Sequence, residues 1–166
     1  MIELAVAQLG VDRTTNSPVV ILRERGGTRV LPIWIGPAEA SAIAMELQGV
    51  KFQRPLTHDL LKQVIVGLGG SLQHVYIRSV QENTYFAELL IRRGEDAFQV
   101  DARPSDSIAL ALRLQAPIFA SEGLLGEGED DGPGGEGEPA PDDAAADALK
   151  RYLEQLDPED FGKFSP

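Results

Sequence analysis

This chain predicts an α+β fold with a mixed or antiparallel sheet and packed helices, on three observations. Strand-like runs come in groups of three before a helix-like run, without the strict alternation of a parallel α/β protein. Turn-forming residues (DRTTNS, GG, QEN, GED) separate the runs at hairpin spacing. A shift of 67 residues lays PAEASAIAMELQG (37–49) over PSDSIALALRLQA (104–116), matching Pro37 with Pro104, Ala42 with Ala109, Ala44 with Ala111, Leu47 with Leu114 and Gln48 with Gln115. Read as a repeat, this gives two βββα units around one extra helix.

Residues 2–11 and 18–25 read as strands, and Gly26-Gly27 leads into a third over 28–36. Residues 37–49 predict a helix: Pro37 suits its first turn, Glu39 its positive end and Gly49 its stop. A second helix spans 57–68. Thr57 is its expected N-cap, and Leu60, Leu61, Val64, Ile65 and Leu68 form the single apolar stripe that a helix turns to a core. Strands follow at 71–80, 84–93 and 97–102, then a helix over 103–115 and a short strand at 116–120. Trp34 is expected in the core or a subunit contact, and His74 in a packing or surface role.

The domain reads as residues 1–125. Residues 126–142, dominated by Gly, Pro, Glu, Asp and Ala, read as an acidic flexible linker, since such a composition cannot bury enough apolar surface to offset ordering. Residues 143–166 read as a helical segment with Ala145, Leu149, Leu153 and Leu156 on one side, expected to dock on its own body or on a neighbouring subunit.

The net charge of −11 lies in the tail: 12 acidic and 12 basic side chains stand through residue 120, against 14 and 3 beyond it. The neutral body neither indicates nor excludes a polyanion. There is no cysteine, which excludes disulfides, thiol catalysis and Cys-based zinc sites. No apolar run is long enough to span a membrane, and MIELAVAQLG lacks the basic start of a signal peptide, so a cytoplasmic location is expected.

Phosphate loops, dinucleotide glycine patterns and serine-hydrolase elbows are missing. Carboxylate, hydroxyl and arginine chemistry concentrates at two helix starts, RPLTHD (Arg54, Thr57, His58, Asp59) and DARPSD (Asp101, Arg103, Ser105, Asp106). A helix N-terminus offers free N–H groups and partial positive charge to phosphate, and arginine adds paired donors. Nearby carboxylates would hold Mg²⁺ or Mn²⁺. The same residue types also make an ordinary well-capped helix start, and both readings stand at this point.

These motifs, with LPIWIGPAEASAIAMELQGV, TYFAELLI and the run to QAPIF, resemble the bifunctional nuclease domain family over residues 2–125. The resemblance implies an α+β domain, self-association as a dimer or trimer, and nuclease activity on DNA and RNA. The matching motif positions are Glu39, Arg54, His58, Asp59, Asp101, Arg103, Ser105 and Asp106. The expected nuclease would use Asp101, Asp106, Asp59 and Glu39 as metal ligands or base. His58 would act with these aspartates in proton transfer, and Arg54, Arg103 and Ser105 would bind substrate. The alternatives are a non-catalytic oligomeric scaffold or regulator, in which arginines pair with aspartates to preserve the fold, and a binder of a small phosphorylated ligand.

Overall fold

A computed structural model describes residues 1–12 and 14–127. The expected linker from residue 128 and the C-terminal helical segment lie outside the described residues. Seven strands form one mixed sheet: β1 (Ile2–Val11), β2 (Pro18–Glu24), β3 (Val30–Trp34), β4 (Ser71–Gln81), β5 (Thr84–Arg93), β6 (Asp96–Ala102) and β7 (Ile118–Ala120). The helices are α1 (Pro37–Leu47), α2 (Thr57–Gly67) and α3 (Pro104–Leu114).

The spatial order is β3-β2-β1-β7-β4-β5-β6. β1-β2-β3-α1 and β4-β5-β6-α3 are therefore the two βββα units, with α2 between them in sequence and β7 filling the seam in space. β7 runs antiparallel to β1 and parallel to β4. The 67-residue offset relates the starts of α1 and α3, and holds closely for β2 with β5 and β3 with β6. It also relates Asn16 and Asn83, which end the first hairpin turn of each unit with positive φ, 53° and 60°. Asparagine tolerates that left-handed conformation better than most residues, because its short amide bonds locally.

Strand alternation sets which side is covered. Val20, Leu22, Leu31, Ile33, Val75, Ile77, Ala87, Leu89, Ile118 and Ala120 face the helices and form the core with Ile43, Ile108 and Leu110. Ile43 and Leu110 are repeat equivalents and both are buried. α3 is buried along nearly its whole length, because Ser107, Ala109 and Ala111 let sheet and neighbouring helices approach closely.

α2 departs from expectation. Of its apolar stripe only Ile65 is buried, while Leu60, Leu61, Val64 and Leu68 are 40–67% exposed. The side turned to α3 is polar instead. His58 and Asp59 bond α3 side chains, and Lys62 Nζ donates to the Arg113 carbonyl at 2.8 Å. Its N-cap is Leu56, not Thr57, and the Asp59 carboxylate accepts the Leu56 N–H at 3.1 Å. Trp34 is also not core: it is about half exposed at the end of β3, its Nε1–H donated to Asp12 at 2.9 Å.

In urea melts, Ile108→Ala should cost about 2–5 kcal/mol, as deletions in close-packed cores do. Val66→Ser, on α2 but off its apolar stripe and 54% exposed, should stay within about 0.5 kcal/mol, as surface changes do. Equal losses would mean that α2 is turned the other way.

Candidate functional site

The starts of α1 and α3 meet beside the β4–β5 turn. Ile33, Trp34, Ile35 and Gly36, with Glu39, Asn83–Tyr85 and Arg103–Ser105, line a cleft of about 260 Å³. Both helices carry Pro at N1 and a carboxylate at N3, Glu39 in α1 and Asp106 in α3, which are repeat equivalents. A carboxylate at N3 suits the positive end of a helix.

Arg103, the N-cap residue of α3, joins the two carboxylates. Its Nε donates to Asp106 Oδ2 at 2.8 Å and its Nη1 forms an ion pair with Glu39 Oε1 at 2.9 Å. The side chain is still 67% exposed. Asp106 Oδ1 in turn meets His58 Nε2 at 3.0 Å. Burial would push the Asp106 carboxyl up, but hydrogen bonds from Arg103 and His58 outweigh it and hold it below the usual range.

A second arginine lies deeper. The Arg113 side chain, 3% exposed, donates to Asp59 Oδ1 at 2.7 Å, to the Ala109 carbonyl at 3.0 Å and to the Ala42 carbonyl at 3.0 Å. Glu46 Oε2 stands 3.9 Å from its Nε. Burial raises the Asp59 carboxyl; Arg113 and the Leu56 amide more than reverse that, so it too stays below the usual range.

The structure thus brings RPLTHD and DARPSD together, with a different division of labour from the one expected. His58 is oriented by Asp106 and not by its neighbour Asp59, because adjacent residues on a helix diverge by about 100°. Glu39, Arg103 and Ser105 line the cleft, whereas His58, Asp59 and Asp106 do not. Arg54 is exposed before α2 and pairs with no carboxylate among the described residues.

Asp101 lies on the other face of the sheet. Its neighbours Val100 and Ala102 pair with Leu89 and Ala87 on the helix side, so Asp101 points away, 3.4 Å from Arg78. The expected cluster of Asp59, Asp101, Asp106 and Glu39 is therefore not assembled. Among the described residues no group of three or more His, Asp or Glu side chains is placed to hold a metal ion. Sequence reasoning missed Arg113, although a lone arginine inside IALALRLQA was a visible signal. It also missed Asp12, which holds Trp34 at the cleft wall.

With this fold and cleft in view, the comparisons place the chain in a class. A family model described as the bifunctional nuclease domain matches residues 20–130, and the chain belongs to that family. It is 43% identical over 162 residues to uncharacterised proteins of Mycobacterium tuberculosis strains H37Rv and CDC 1551, covering 96% of this chain and 97% of theirs. It is also similar to bifunctional nuclease 2 of Arabidopsis thaliana, 27% identical over 112 residues, which cover 66% of this chain and 34% of that protein. Bifunctional nuclease 1 of Oryza sativa subsp. japonica is 24% identical over 110 residues, 64% of this chain and 33% of that one. No helix among the described residues is long and apolar enough to cross a membrane.

Asp59→Asn should cost about 2 kcal/mol. That is less than the ~3–5 of a fully broken buried pair, because Arg113 keeps its carbonyl acceptors. Arginine and hydrogen-bond partners hold both the Asp59 and Asp106 carboxyls below the usual carboxylate range, so the unfolded chain binds the extra protons as pH falls. Stability should be full above the unfolded carboxylate range and fall as pH drops through the folded values. Urea midpoints between pH 6 and 3 should show this acid limb, and it should be shallower in Asp59→Asn.

Proposed function

We propose that this chain hydrolyses phosphodiester bonds of nucleic acid at the cleft between the starts of α1 and α3. The observation that carries this reading is Arg103: two carboxylates fix its guanidinium, yet it remains open to solvent at the cleft. A guanidinium held in this way is pre-organised for a phosphate oxygen, and two helix N-termini add positive potential nearby. Family membership and the plant proteins named as nucleases support the same reaction class.

In this reading a water oxygen attacks phosphorus, the bond to the leaving oxygen breaks, and the leaving oxygen takes a proton from solvent. Glu39, the carboxylate in the cleft wall, takes the proton of the attacking water. Arg103 binds the phosphate and stabilises its developing charge. His58 and Asp106 position Arg103 from behind, while Asp59 and Arg113 preserve the fold. Among the described residues the carboxylates are not grouped to form a protein-built cation cage, and the roles of Glu39 and Arg103 stand on their own geometry. Dependence on Mg²⁺ or Mn²⁺, expected from the sequence, is read directly from the assay. Self-association and a nucleic-acid substrate belong to this proposal as expectations drawn from the family.

The alternative of a non-catalytic scaffold is favoured by one observation, the engagement of Glu39, Asp59 and Asp106 by arginines. Cleavage of labelled single-stranded DNA and RNA by highly purified protein decides between them, run with Mg²⁺, with Mn²⁺ and with a chelator. Arg103→Ala and Glu39→Gln should each lower the rate about 100-fold or more with the fold intact. Equal activity in both variants would assign the cleavage to another site or to a contaminant.

A further inference from the structure

The outer face of α2 is an apolar surface that the body leaves uncovered. Leu60, Val64 and Leu68 recur at every fourth residue with Leu61 beside them, and all four are 40–67% exposed. Such a stripe on one helix marks a helix-in-groove or helix-on-helix contact more than scattered surface leucines do. It is the right size for a short helix. Four partly exposed aliphatic side chains fall well short of the ~800 Å² per partner that a stable protein–protein interface buries.

We propose that the chain's own C-terminal segment, residues 145–156, docks as a helix on this face. Ala145, Leu149, Leu153 and Leu156 repeat at helical spacing, and the span of about 18 Å matches the about 16 Å of α2. The chain leaves the sheet at Gly126, whose amide and carbonyl pair with Val30. The residues between there and 145 span roughly 20–25 Å as a flexible linker and more when extended, enough to cross a domain of this size. The docking segment itself is balanced, with Asp147 and Glu154 against Lys150 and Arg151, while residues 128–144 that lead to it carry seven acidic and no basic side chains. Lys51 and Arg54, just before α2, pair with no carboxylate among the described residues, and Lys62 on α2 gives its ammonium to a carbonyl.

The absence of native cysteine allows a clean test in the full-length protein. Val64→Cys combined with Leu153→Cys should form a disulfide within one chain under mild oxidation. Cysteine is itself a small apolar side chain, so both stripes persist. Adding Leu149→Asp should lower that yield about fivefold or more. In the cysteine-free protein, Leu149→Asp with Leu153→Asp should speed amide exchange in residues 57–68 about fivefold, leaving the exchange of α3 unchanged. These tail substitutions leave every described core residue in place, and unchanged exchange in α3 separates undocking from loss of the fold. Covalent dimers from Val64→Cys alone would assign the face to a second copy and overturn the proposal. So would a yield no higher than that of a linker control, Val64→Cys with Gly134→Cys, or exchange in α2 that ignores the tail substitutions.

Discussion

The buried guanidinium of Arg113 is the interaction on which the arrangement of the three helices depends. It donates to a carboxylate of α2 and to backbone carbonyls of α1 and α3, with a glutamate of α1 beside it. A buried charge left without partners costs several kcal/mol, so the packing must supply acceptors from all sides. Asp59 can serve only if α2 turns its polar side inward, which carries Leu60, Leu61, Val64 and Leu68 outward. Exposing about half of each of these four side chains forgoes roughly 1 kcal/mol apiece. That sum is close to the cost of an unpaired arginine, so the inversion is sustainable, and a cover over the outer face would recover part of it.

Two arginines break the internal symmetry of the molecule in the same way. Arg113 binds the carbonyls of Ala42 and Ala109, which are repeat equivalents. Arg103 binds the carboxylates of Glu39 and Asp106, which are also repeat equivalents. In the first unit the corresponding positions are Glu46 and Gly36, so each arginine on α3 serves both halves. The cleft forms where the two helix starts meet, and Gly36 leaves room there for the Glu39 carboxylate, which folds back over it. A site placed between two related units can gather groups from both while the core of each stays apolar.

Much of the fold was legible in the sequence for a simple reason: alternation, turn residues and helix punctuation are local, and they repeat. The offset between Pro37 and Pro104 predicted two βββα units, and every expected strand from residue 2 to 120 is present. The site was legible in part. Grouping RPLTHD with DARPSD was right, but Asp101 was grouped with Asp106 by proximity in sequence. Strand pleating sends Asp101 to the far face, where Arg78 meets it. Arg113 stood out as a single charge in an apolar helix, but its role was not legible because such a charge carries no marker of its partners, which lie up to 71 residues away.

By itself the sequence determined the elements, their order, the duplicated unit and the residues that chemistry could use. All of these follow from short-range periodicity and from the intrinsic preferences of Pro, Gly and Asn. Only the tertiary structure decided the seam strand β7, the rotation of α2, and which carboxylate meets which arginine. Those outcomes turn on satisfying buried charge and hydrogen-bonding groups across distant segments. No local pattern encodes that constraint, because it exists only once the helices are packed.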